Sequence, residues 1–102
     1  MKYRLQFDPE ALREWNSLDK SIRIQLAKKL ESRLEDPKIP TARLSGDLQG
    51  LYRIKLASIG YRLVYMVRDL ELIVLVLSVG RRDKSEVYRE AEKRKKKTPP
   101  PK

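Results

Sequence analysis

Arg53, Lys55, Arg62, Arg81 and Arg82 fall in one strand-like stretch, Leu51–Tyr88, that reads LYRIKL, then GYRLVYMV, then ELIVLVLSVGRRDKSEVY. Along its first strand a period of two puts Arg53 and Lys55 on one face and Tyr52, Ile54 and Leu56 on the other. The apolar set is expected to face helices and the two cations to face solvent, with Arg62 joining them if the register of the following strand allows it. Gly80 brings Arg81 and Arg82 to a strand end, and Tyr88 follows early in a helix. Several cations aimed at one place suit an anionic target, first of all a nucleic-acid phosphate. Guanidinium groups fork onto phosphate oxygens, and a tyrosine stacks on a base or donates its hydroxyl. Like charges around a lysine disfavour its charged form, so Lys55 is expected to be able to accept a proton. If that proton came from a ribose 2′-hydroxyl, the oxygen would attack the adjacent phosphorus while guanidinium groups held the developing charge, leaving a cyclic phosphate. Such a route cuts RNA and spares DNA. A solvated strand face, or simple binding of nucleic acid or an acidic partner, uses the same residues and stays open at this level.

Composition narrows the chemistry further. The chain has 102 residues, 24 Lys and Arg against 14 Asp and Glu, a formal net charge of +10, and neither Cys nor His. One domain fits that length. Thiol nucleophiles, disulfides, imidazole acid–base pairs and the usual zinc sites are excluded, and no metal or cofactor is called for. The carboxylates Glu31, Glu35, Asp36, Asp69 and Glu71 fall on helix surfaces or turns without a paired arrangement. No stretch approaches the roughly 20 apolar residues of a membrane span, and the N-terminus MKYRLQFDPE lacks the apolar core of a signal peptide, so a cytoplasmic location is expected.

The elements that must position these residues have local signals. Tyr3, Leu5 and Phe7 alternate with polar residues as in a half-buried strand. Asp8 and Pro9 suit the N-cap and first position of a short helix with Leu12, Trp15 and Leu18 inward. Asp19 caps a second helix in which Ile22, Leu26, Leu30 and Leu34 share a face, and Asp36-Pro37 forbids its continuation. After a loop with Pro40, Gly46 and Gly50, the strands Leu51–Leu56 and Tyr61–Val67 are expected to pair as a hairpin across Ala57–Gly60. Leu72–Val79, aliphatic throughout, reads as the central strand, buried on both faces. Asp83 and Glu86 resemble a capping box for a last helix. Tyr61, Leu63, Tyr65 and Trp15 are expected in the core. The expected fold is α+β: a small antiparallel sheet in the order β-α-α-β-β-β-α, two N-terminal helices packed on it, the partner of the first strand left undecided. The domain is expected over 1–94, with a basic, Pro-rich, disordered tail over 95–102.

The strings YRIKLASIGYRLVYMVRD and LSVGRRDKSEVYREA, with FDPEALREWNSL and the Leu-rich second helix, closely resemble the RelE toxins of type II toxin–antitoxin modules within the RelE/ParE superfamily. The resemblance implies a RelE-like microbial ribonuclease fold and a ribosome-dependent endonuclease that cuts messenger RNA in the ribosomal A site. Carried over by position, it implies Lys55 as general base and Arg82 beside the leaving oxygen. Arg62 and Arg53 become phosphate and transition-state stabilisers, and Tyr88 the residue that orients the RNA. Where the family pattern has Lys, this chain has Arg53, which keeps the charge but cannot serve as a base. Arg82, whose guanidinium holds its proton too tightly to give it up, suits electrostatic stabilisation rather than proton donation. Arg81, Lys84, Lys93 and Arg94 would add affinity for the ribosome or RNA. The implied partners are a RelB-like antitoxin and the 70S ribosome with message in its A site. The competing expectations are a ParE-like, non-catalytic inhibitor of DNA gyrase and a module that only binds ribosomes or RNA.

Overall fold

The computed structural model describes residues 2–81 and 86–97. The capping box at Asp83, the expected site residues Arg82 and Lys84, and residues 98–102 lie outside them. The order is β1 (Arg4–Phe7), α1 (Pro9–Asn16), α2 (Lys20–Glu35), β2 (Leu51–Leu56), β3 (Tyr61–Arg68), β4 (Ile73–Arg81) and α3 (Glu86–Lys97), with single 3-10 turns at Pro40–Ala42, Gly46–Leu48 and Asp69–Glu71. Four strands make one sheet in the order β1-β4-β3-β2. The meander β2-β3-β4 is antiparallel, as expected. β1 is not: it lies parallel to β4, Arg4 opposite Ile73 and Phe7 opposite Val76, so the sheet is mixed. The direction follows from the chain path, since β1 reaches β4 only after two helices and a hairpin, a crossover long enough to permit a parallel neighbour.

Local signals account for most boundaries. The Asp8 carboxylate accepts from the backbone N–H of Glu10 at 2.9 Å and of Ala11 at 3.4 Å, and Pro9 opens α1. α1 does not point Leu12 inward; Leu12 is 42% exposed and Ala11 is fully buried. Ala11, Trp15 and Leu18 form the inward stripe instead, and a methyl group at its centre lets α1 lie close to β4. α2 buries Ile22, Leu26 and Leu30 and ends before Pro37. Gly60, at φ +69°, closes the hairpin in the left-handed region that a side chain would strain.

The sheet carries a core on each face. α1 and α2 cover one, built on Leu26, Leu30, Ile54, Leu63 and Tyr65; α3 covers the other, where Val87 and Ala91 meet Leu51, Val64 and Leu77. β4 supplies both cores, Val74 and Val76 to the first and Leu77 to the second, which explains its continuous aliphatic sequence. α3 continues through Lys97, so Lys95–Lys97 are helical rather than part of a tail; Lys95 Nζ donates to Gln49 O at 2.5 Å.

Tyr65 is fully buried in the first core, stacked on Tyr52 with ring centroids 5.6 Å apart, and its hydroxyl donates to Pro37 O at 2.6 Å. Burial pushes its ionisation above the ordinary tyrosine value of 10.0, against the lowering effect of Arg33. The unfolded chain therefore releases this proton first as pH rises. The contribution to stability is complete below pH 10.0 and is lost progressively above it, as pH climbs toward the raised folded value. Tyr65→Phe is expected to make that alkaline fall in the urea midpoint shallower. At neutral pH the same change should cost about 1–3 kcal/mol, because the Pro37 carbonyl and Arg33 lose their buried partner.

Candidate active site

The hairpin register settles where the cations stand. Lys55 lies directly opposite Arg62 and Arg53 opposite Val64, so Arg53, Lys55 and Arg62 share the face covered by α3. Arg62 is opposite Gly80 on its other side, and among the described residues a Cβ at Gly80 would meet nothing within 4 Å. The row Lys55, Arg62, Gly80 therefore ends beside a strand end. Lys55 is exposed and Arg53 half-buried, whereas Arg62, expected at the surface, is only 6% exposed, its Nη1 donating to Tyr61 O at 3.1 Å. A guanidinium so nearly buried is held in one place, which is what a charge stabiliser needs.

A β-bulge decides what else joins the row. Tyr65 is opposite Val76 but Val64 is opposite Ser78, so β4 carries one extra residue, Leu77. Leu77 and Ser78 both face α3; Leu77 packs in the second core and the Ser78 hydroxyl donates to Val87 O at 2.6 Å. The bulge thus fastens the first turn of α3, where Tyr88 packs half-buried against the second core. It also reverses the alternation beyond, so Gly80 faces the Lys55 side and Arg81 the other, paired with Tyr61 with its guanidinium 6.0 Å from the ring centroid. Arg81 is exposed but stands on the opposite face from Arg53, Lys55 and Arg62.

Arg94 corrects an expectation. Read as one of the RNA-facing cations, it is 4% exposed and donates to Glu14 at 2.8 Å, to Glu10 at 3.2 Å and to Leu77 O at 2.8 Å. Glu14 accepts from Val79 N at 3.2 Å. These are the backbone groups that β4 leaves unpaired once β1 has ended opposite Val76. Glu14 from α1 and Arg94 from α3 finish the open edge and tie together helices from opposite faces of the sheet. Burial alone would lower the ionisation of Arg94; Glu14, Glu10 and Glu90 outweigh it and hold the guanidinium above its ordinary value. Lys93, one residue before, is exposed beside Glu90 at 3.6 Å.

Sequence reasoning also missed Lys29 and Arg33 on α2. Both line a groove along the outer edge of β2 that includes Arg53 and Lys55. Their spacing carried a signal: Arg33 is three residues past the buried Leu30 and Lys29 one turn earlier, at the flank of the inward stripe.

A family model for the ParE toxin of the type II toxin–antitoxin system parDE matches residues 5–86. The mRNA interferase toxin RelE of Escherichia coli K12 is 52% identical over 94 residues, 92% of this chain and 98% of the relative. The chain belongs to the RelE family of toxins. The mRNA interferase RelE of Shigella flexneri is equally similar, 52% over the same 94 residues, 92% of this chain and 98% of the relative. Among solved structures, an arginine-to-alanine double mutant of E. coli RelE in the free state superposes with a TM-score of 0.84 at 51% identity, covering 92% of this chain and 98% of that one. RelE in the intact E. coli RelBE toxin–antitoxin complex superposes at 0.74 with 49% identity, covering 78% of this chain and 95% of that one. The mixed sheet with three helices is thus the RelE fold.

Proposed function

We propose that this RelE-family chain is the toxin of a type II toxin–antitoxin system and cuts messenger RNA in the ribosomal A site. The observation that carries the reading is the 52% identity, across 92% of the chain, to a protein named as an mRNA interferase toxin. The pairing of Lys55 with Arg62 across the hairpin supports it, because the proposed base and a fixed guanidinium then stand side by side on one face.

In this mechanism Lys55 takes the proton of the ribose 2′-hydroxyl and the freed oxygen attacks the adjacent phosphorus. The bond to the 5′-oxygen breaks, leaving a 2′,3′-cyclic phosphate on one fragment, and the departing oxygen takes a proton from water to become the 5′-hydroxyl of the other. Arg62 and Arg53 hold the charge that builds on the phosphate, Arg82 stabilises the leaving oxygen, and Tyr88 orients the RNA. With no histidine in the chain, intrinsic catalysis is weak and the decoding site supplies the orientation of the message, an effect worth up to about 7–11 kcal/mol when geometry is ideal. Free RNA is then a poor substrate. The antitoxin is a RelB-like protein that covers the basic face or displaces α3 with Tyr88. No helix among the described residues is long and apolar enough to cross a membrane, and the ribosome as target places the toxin in the cytoplasm.

The test adds the purified protein to a reconstituted translation complex with a defined A-site codon and maps the message ends. Cleavage within that codon, absent when ribosomes are omitted, is the expected result. An intact message at saturating folded protein would overturn the reading and direct attention to gyrase, the ParE alternative.

A further inference from the structure

Along the outer edge of β2, between that strand, α2 and the turn at Pro40–Ala42, runs a groove of about 440 Å³. Lys29, Ser32, Arg33, Thr41, Arg53 and Lys55 supply its polar lining; among the described residues no carboxylate lines it. Four positive charges in one concavity with no internal counter-charge suit a polyanion.

Arg33 gives the groove more than charge. Its Nη1 donates to Arg53 O at 3.1 Å and to the Tyr65 hydroxyl at 3.0 Å. That hydroxyl is committed as a donor to Pro37 O, so it can only accept from Arg33. The guanidinium is thereby pinned by two acceptors, while its Nη2 and Nε have no protein partner among the described residues. A half-buried planar fork with fixed orientation and free donors is preorganised for a tetrahedral oxyanion. Lys29, exposed one helical turn earlier, adds a second charge, and the exposed Ser32 and Thr41 hydroxyls add donors.

We propose that this groove is a second RNA phosphodiester site, with Arg33 and Lys29 as its binding residues. It rests on the nuclease reading and extends it. Arg53 and Lys55 form the wall shared by the scissile phosphate and by a second phosphate, supplied either by the message or by ribosomal RNA. Contiguity with the Lys55–Arg62 row favours RNA over an acidic antitoxin segment.

The experiment compares the unaltered chain with Lys29→Gln, Arg33→Gln and the double variant, each first shown to be folded by its urea midpoint. The double variant is expected to lower kcat/KM for A-site cleavage by about 10–100-fold, carried by KM, and to reduce the slope of log affinity against log salt by about two, one for each phosphate-contacting charge. Shortening the message to end at the A-site codon separates the sources. A message phosphate makes the defect vanish on the short message, and a ribosomal one leaves it in place. Unchanged KM and salt slope in the folded double variant would overturn the proposal, as would unchanged cleavage with weakened binding of an acidic antitoxin peptide. If the unaltered chain cleaves nothing, the nuclease reading fails by itself. The groove is then judged on binding of a short labelled RNA at low salt, where equal affinity of the double variant and the unaltered chain overturns it.

Discussion

Lys55→Ala is expected to slow A-site cleavage by about 10²–10⁴-fold, the usual contribution of a positioned general base, while binding to the ribosome stays nearly intact. Lys55 is exposed on an edge strand, so its loss opens no cavity and should leave stability within about 0.5 kcal/mol of the parent. A lower rate can then be assigned to chemistry. The measurement is a single-turnover time course on a programmed ribosome at saturating toxin, with binding followed separately by co-sedimentation. Lys55→Arg sharpens it: the charge returns and the proton acceptor does not, because guanidinium stays protonated. Near-normal cleavage by Lys55→Arg would mean that the position supplies charge alone, and the base would have to be sought elsewhere in the decoding site.

Arg94→Ala is expected to destabilise the fold by about 3–5 kcal/mol, the range for breaking one side of a buried ion pair. The guanidinium serves Glu14, Glu10, Glu90 and the carbonyl of Leu77 together. Without it the half-buried Glu14 carboxylate and the open edge of β4 lose their partner, and α3 loses its tie to α1. Domains of this size have about 5–15 kcal/mol in total, so the variant should be partly unfolded near physiological temperature. Urea denaturation checks it: the midpoint should fall with an unchanged slope. Glu14→Gln, which keeps an acceptor for Val79 N, should lose less. A midpoint equal to the parent's would show the cluster to be energetically idle.

Both expectations turn on where a cation sits, and there sequence and structure part. Alternation in LYRIKL and GYRLVYMV, the Asp8-Pro9 start, the Asp36-Pro37 stop and the aliphatic run of β4 act within a few residues of themselves. Each could therefore be read along the chain, and so could the hairpin itself, but the register that sets Lys55 opposite Arg62 came only with the structure. The same local grammar placed Leu12 inward, because it cannot tell which neighbour on a helix meets a strand at close range; Ala11 does. Residue types alone excluded thiol, imidazole and ordinary zinc chemistry and pointed to cationic handling of a phosphate. They could not reveal the parallel seat of β1, which depends on a pairing made after most of the chain has intervened. Nor could they reveal the bulge at Leu77, which turns Arg81 to the far face and fastens α3 through Ser78. In the sequence Arg94 reads as an RNA-facing cation and Arg33 is passed over, yet one is sealed against Glu14 and Glu10 and the other is pinned by Tyr65 beside the site. A guanidinium has the same charge in every sequence context; only the distant elements brought against it determine whether it meets a carboxylate, a carbonyl or open solvent.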